Sequence, residues 1–167
     1  MKNSQMISIA KQVIQIEAEA VNLMQDRIND QFALAVETIF GCSGRLIVSG
    51  MGKSGLISQK IASTMASTGT PAYFVHPGEA IHGDLGMITK NDVMLIVSNS
   101  GETLELVQLT PALKKKNLMV IGLIGKKEST LAYKSDIYLD TSVKKEACTL
   151  DLAPTASTTA TLAMGDA

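Results

Sequence analysis

The feature that most limits what this chain can become is a rhythm of five short apolar runs, at 45–49, 71–75, 92–98, 118–124 and 136–140, spaced by segments long enough to hold a helix. The runs are rich in Val, Ile and Leu and do not alternate apolar with polar. A strand built from any of them must therefore be covered on both faces. Such strands, joined by long crossovers, are predicted to lie parallel with helices on either side. The fold class that follows is α/β, a three-layer αβα sandwich around a five-stranded parallel sheet. Ligands of such sheets bind beyond the carboxyl ends of the strands. In this chain the turn at 50–55, the stretch 76–86 and the turn at 98–103 are expected there.

Helical periodicity fills the remaining chain. Ile9, Val13, Ile16, Ala20 and Leu23 form one apolar stripe along a helix expected over 4–29, with Ser4 as its N-cap. A second helix is expected over 31–40, with Phe32, Ala35, Val36 and Ile39 on one side. Residues 1–43 thus read as a helical preface that packs on the core or on a partner, and 44–167 as the α/β domain. Two further helices are expected, over 56–67 after the first strand and 104–113 after the third. The last segment, from Pro154, begins as a helix with hydroxyls at its start and reaches Ala167 without a C-cap, as if the chain were cut within an element.

Charge and composition exclude several classes of function. The formal net charge is −1 and the lysines and arginines are scattered, which argues against a nucleic-acid partner. The Lys114-Lys115-Lys116 triplet falls where a helix ends and suits its dipole. No run approaches the roughly 18 apolar residues that would cross a bilayer, and the N-terminus has no leader pattern. Cys42 and Cys148 form no C-x-x-C or metal spacing. A reduced, cytoplasmic protein is the expectation.

The chemistry concentrates at the expected carboxyl edge. Ser98, Ser100 and Thr103 surround Gly101 between a strand and a helix start, where free N–H groups and the helix dipole attract anions. A simple helix cap needs fewer hydroxyls, so the turn reads as a phosphate cradle. Glu102 and Glu105 both fall in the first turn of the following helix, and only one of them need be functional. The Gly50-Met-Gly-Lys-Ser-Gly55 turn fails as a P-loop, because Ile47 stands where the first glycine belongs. It also fails as a dinucleotide fingerprint, for want of an acidic residue at the end of the next strand. Lys53 is nonetheless placed to meet ligand oxygens, its alternative being a solvated surface lysine. His76 and His82 lie in a polar loop with Glu79 and Asp84, at a spacing that matches no standard zinc signature. Glu146 follows the fifth strand.

These residues carry a resemblance. Gly50-Met-Gly-Lys-Ser-Gly, Ser-Thr-Gly-Thr-Pro71, Phe74-Val-His-Pro-Gly-Glu-Ala, His82-Gly-Asp-Leu-Gly, Ser98-Asn-Ser-Gly-Glu, Lys145-Glu-Ala-Cys and Leu152-Ala-Pro-Thr are similar, in order from about 44 to 167, to the sugar isomerase (SIS) domain of D-arabinose 5-phosphate isomerases. Those enzymes feed the pathway to Kdo, a sugar of lipopolysaccharide. The resemblance implies a flavodoxin-like sheet with catalytic Lys53, Glu105 and Glu146. It implies substrate contacts at Ser54, Gly69, Thr70, His82, Ser98, Ser100 and Thr103. It associates His76 with a zinc ion that turnover does not need, and implies no required cofactor. It further implies a homo-tetramer with sites at subunit boundaries. The family has a fourth catalytic residue, a histidine in a His-Pro-Gly-Gly motif, and usually a pair of CBS domains, both beyond position 167. The chain therefore resembles an isolated SIS domain, expected to bind substrate with little turnover.

The reaction implied interconverts D-ribulose 5-phosphate and D-arabinose 5-phosphate through a cis-enediol. The alternative is a sugar-phosphate-binding regulatory module, which would need the hydroxyl turn but not Lys53, Glu105 and Glu146 together.

Overall fold

The computed structural model describes residues 2–150 and 152–167. Two helices, α1 (Asn3–Met24) and α2 (Asp30–Phe40), precede the alternating part of the chain. There β1 (Leu46–Gly50), α3 (Gly52–Ser67), β2 (Ala72–Phe74), α4 (Pro77–His82), β3 (Val93–Ser98), α5 (Leu104–Lys115), β4 (Met119–Ile124), α6 (Thr130–Lys134), β5 (Ile137–Asp140) and α7 (Ala156–Asp166) follow one another. The five strands form one parallel sheet in the order β2-β1-β3-β4-β5. Each lies within a residue or so of its apolar run.

The two-sided burial expected of these strands is met by two separate cores. On one face Leu46, Val48, Leu95, Val97, Ile121 and Leu123 pack with Ala20 and Met24 of α1, Ala35 of α2, Ile61 of α3, and Ala160 and Met164 of α7. On the other, Ile47, Met94, Ile96 and Val120 pack with Ala80 of α4, Leu106, Leu109 and Leu113 of α5, and Leu131 of α6. The alternation follows from the two-residue period of a strand. Helix α5 carries Pro111 in its interior, which removes a donor to the Val107 carbonyl. The Thr110 hydroxyl donates to that carbonyl at 2.8 Å, and the helix continues.

Some boundaries differ from the periodicity. Ser4 lies inside α1, whose N-cap is Lys2; the Gln5 side chain accepts from the Lys2 N–H at 3.0 Å. The expected 4–29 helix ends at Met24, passes through a 3-10 turn over Gln25–Arg27, and gives way to α2 at an Asn29 cap whose side chain accepts from Gln31 N. Helix α3 begins at Gly52, four residues earlier than the Gly-rich stretch suggests. The segment after β2, loop-like in composition, is ordered as α4 and a 3-10 turn over Asp84–Met87. No helix among the described residues is long and apolar enough to cross a membrane.

Candidate active site

Strand order reverses between β1 and β3, which are neighbours although β2 lies between them in sequence. Their chains leave the sheet in opposite lateral directions and open a crevice beyond their carboxyl ends. A cleft of about 480 Å³ lies there, walled by Met51, Lys53 and Ser54 from the start of α3, Asn99, Ser100 and Thr103 from the turn after β3, Glu146 after β5, and the 152–154 segment before α7.

The turn after β3 is built from within. The buried Ser98 hydroxyl accepts from Gly101 N at 3.0 Å and pairs with the Thr103 hydroxyl at 2.9 Å. Ser100 Oγ accepts from Glu102 N at 3.2 Å. Thr103 is the N-cap of α5, yet its hydroxyl faces Ser98 and makes no capping bond. The first N–H groups of α5 are thus left without a side-chain cap. Helix α3 starts in the same state, with Met51 at its N-cap. Two uncapped helix starts flank one cleft, and each brings the positive end of its dipole. Close packing of β1 on α3 sets this geometry: a Cβ on Gly55 would approach the Gly50 carbonyl oxygen to 2.7 Å.

Lys53 adds a full charge to those dipoles. It is exposed, and among the described residues it takes no part in an ion pair. A lysine in the first turn of a helix opposes the dipole, so its position favours an anionic ligand over the isolated helix.

Glu146 stands on the far side of the cleft. Its Oε2 accepts from Thr155 N at 2.8 Å, Thr155 Oγ1 at 3.1 Å and Ser157 N at 3.2 Å. The carboxylate therefore caps α7 from a distance. Burial on its own would raise the Glu146 pKa, but the Ser157 and Thr155 donors outweigh it and hold the group below the ordinary glutamate range. A carboxylate in that state accepts protons and hydrogen bonds rather than donating them.

Of the residues expected at the site, Lys53, Ser54, Ser100, Thr103 and Glu146 come together on the cleft. Ser98 lies beneath the turn, its hydroxyl committed to Gly101 and Thr103, so it braces the cradle instead of walling it. Glu105 is half-buried on the first turn of α5, two residues beyond Thr103, and does not wall the cleft. Glu102 is accounted for elsewhere: its Oε1 accepts from Thr130 N at 2.6 Å at the start of α6, and that bond lowers its pKa.

Gly69 and Thr70 are not brought to the cleft. They precede β2, at the amino edge of the sheet, where they line a separate hollow with Cys42, Gly44 and Leu46. A residue that precedes a strand lies at its amino end, so the resemblance, and not the sheet geometry, assigns Gly69 and Thr70 to the site. His82 ends α4, exposed and off the cleft wall. His76 is the N-cap of α4, its Nδ1 accepting from Gly78 N at 3.2 Å, with its ring edge-on to Phe74. Among the described residues no group of three His, Cys, Asp or Glu side chains could hold a metal ion. A single imidazole so engaged does not make a zinc site within one chain.

Three contributors lie in stretches the sequence points to without marking them as site residues. Asn99 is overshadowed by the serines on either side, although a carboxamide at a strand end is a ready hydrogen-bonding group. Met51 enters because the helix begins earlier than expected. The 152–154 segment enters because Thr155 and Ser157 tie the chain to Glu146; the hydroxyl-rich start of α7 is the available signal.

A family profile described as the SIS domain matches residues 39–167. Over 157 residues the chain is 56% identical to the arabinose 5-phosphate isomerase KdsD of Yersinia pestis, covering 94% of this chain and 48% of that protein. It is 51% identical over 166 residues to KdsD of Pseudomonas aeruginosa, covering 99% of this chain and 51% of that one. The chain thus spans about half the length of the curated relatives it matches. Among solved structures, Escherichia coli CFT073 c3406 in complex with arabinose 5-phosphate superimposes with a TM-score of 0.94 at 42% identity, covering 99% of this chain and 88% of that one.

Proposed function

The chain belongs to the SIS domain family, and from that premise we propose that it is the isomerase domain of an arabinose 5-phosphate isomerase, interconverting D-ribulose 5-phosphate and D-arabinose 5-phosphate. The observation that carries the reading is one cleft holding a cation, two uncapped helix starts and an ionised carboxylate, at the point where the strand order reverses. The similarity to KdsD proteins over almost the whole chain, and to a structure that holds arabinose 5-phosphate, supports it.

Aldose–ketose isomerisation moves one proton between C1 and C2 and one between the two oxygens, through a cis-enediol. Ser100, Thr103, Ser54 and the helix-start N–H groups grip the phosphate and fix the far end of the sugar. Ser98 keeps Thr103 in place. Lys53 stabilises the negative charge that develops on the enediolate oxygens. Glu146, held anionic, is the proton acceptor within the cleft. Glu105 is assigned as the second acid/base group on the resemblance; it lies on the first turn of α5, off the cleft wall, and its part requires that the bound sugar extend to it. Neither a redox cofactor nor a nucleotide enters this chemistry. We further infer a cytoplasmic, tetrameric protein serving Kdo and lipopolysaccharide synthesis. A tetramer offers His82, Gly69 and Thr70 a route to a site through another subunit.

The test is deuterium exchange at C2 of arabinose 5-phosphate in D2O, followed by proton NMR on the protein that contains these 167 residues. Exchange is expected with the native residues, and a loss of about 10²-fold or more with Lys53→Ala, the scale set by removal of one oxyanion-stabilising group. Tight binding of the sugar phosphate with no exchange would make the chain a sensor instead.

A further inference from the structure

Thr155 occupies the N-cap of α7, a position whose hydroxyl ordinarily accepts from its own helix, yet it makes no such bond. Its hydroxyl turns the other way, accepting from Ala147 N at 2.8 Å and donating to Glu146 Oε2 at 3.1 Å. One side chain thus joins the carboxylate to the backbone of the residue that follows it. The cap of α7 passes to Glu146, which takes Thr155 N and Ser157 N as well. All three donors converge on a single oxygen, Oε2. A glutamate side chain has three rotatable bonds, and these contacts fix the carboxyl end of them against the start of a helix.

We propose, building on the isomerase reading, that Thr155 is a positioning residue for the reaction: its hydroxyl locks the Glu146 carboxylate in one orientation on the cleft wall. Thr155 touches no reacting atom; it acts through Glu146. The hydroxyl donor favours the charged form of the carboxyl, and removing it leaves burial opposed by fewer donors.

Among the described residues, the charged groups around this segment are Lys53 on α3, Lys144 and Lys145 on the segment itself, and Glu17 and Glu19 on α1. Lys144 pairs with Glu19 at 2.9 Å, and Glu17 accepts from the Thr159 hydroxyl at 2.9 Å. Thr155→Val alters none of these charges, so a change in Glu146 titration reports the lost hydroxyl.

Two readouts are made on the protein containing these residues, native, T155V and T155S. The first is the pH profile of kcat and KM for arabinose 5-phosphate. The second is the pH titration of the Glu146 carboxyl carbon by NMR, assigned with E146Q, which needs no turnover. T155V is expected to lower kcat by about tenfold, the weight of one hydrogen bond to a charged group. KM should be little altered, and the acid limb and the carboxyl midpoint should both move to higher pH. T155S should restore both. An unchanged carboxyl midpoint in T155V, or a midpoint in T155S displaced as far as in T155V, overturns the proposal. Where T155V does not fold, the native protein decides: a Glu146 midpoint at or above the ordinary value of 4.5 also overturns it. Absence of turnover in the native protein would defeat the isomerase reading and with it the role in the reaction, whereas an undisplaced carboxyl midpoint in T155V with turnover intact would defeat the role of the hydroxyl alone.

Discussion

Gly101 is confined twice over. Its φ of +66° lies in the left-handed region, and a Cβ there would overlap the Ser129 side chain and come within 3.0 Å of Ile124. Ser129 cannot swing aside cheaply, because its hydroxyl donates to Lys126 O at 2.6 Å and caps α6. Gly101→Ala is therefore expected to destabilise the fold by about 2–4 kcal/mol, combining backbone strain with overpacking. Urea melts would measure that loss, and phosphate affinity should fall with it because the turn no longer closes on Ser98. Ser98, Ser100, Gly101 and Thr103 were legible from their types and order as one hydroxyl-rich turn between a strand and a helix start. What could not be read was the division of labour. Ser98 and Ser100 look equivalent in sequence, and only burial separates the brace from the contact. The two early glutamates of α5 look equivalent too, until Glu102 is seen capping α6.

Among the elements, α7 is held at its start by a side chain from outside the helix. The folded-state pKa of Glu146 lies below its ordinary value, so the carboxylate contributes stability above the ordinary value and loses it as pH falls through the folded one. Thermal melts of the native chain should accordingly weaken on acidification below the ordinary glutamate range. Glu146→Gln should weaken less over the same interval. A parallel slope in the two proteins would show that the cap does not couple to folding. The strands were legible almost to the residue because β-branched runs buried on both faces have few other fates. Helix starts were less so. Gly50 to Gly55 has the composition of a turn, yet tertiary packing of Gly55 against the Gly50 carbonyl begins α3 at Gly52. The polar stretch after β2 carries no periodicity, and its short helix exists because Ala80 and Ile88 find places in the second core.

At the scale of the whole molecule, the strand order is what makes a site from distant sequence. Leu46 pairs with Val93, and the pairing continues to Gly50 with Val97, so the two strand ends that carry the cleft meet only after α3, β2 and α4 have been looped out between them. The chain order of the runs pointed to a parallel sheet, but the adjacency of β1 and β3 is a property of the packed layers and no single run encodes it. That adjacency has a kinetic consequence. Closing a long loop carries an entropic cost before the pairing rewards it, so the β1–β3 contact is a slow, non-local step. Neither helix start can present its N–H groups to a shared anion until that step is done. Inorganic phosphate should then leave the refolding rate unchanged and slow unfolding alone, visible as a shift of only the unfolding arm of a denaturant chevron. Acceleration of refolding by phosphate would mean that the anion is already gripped while the chain is still closing.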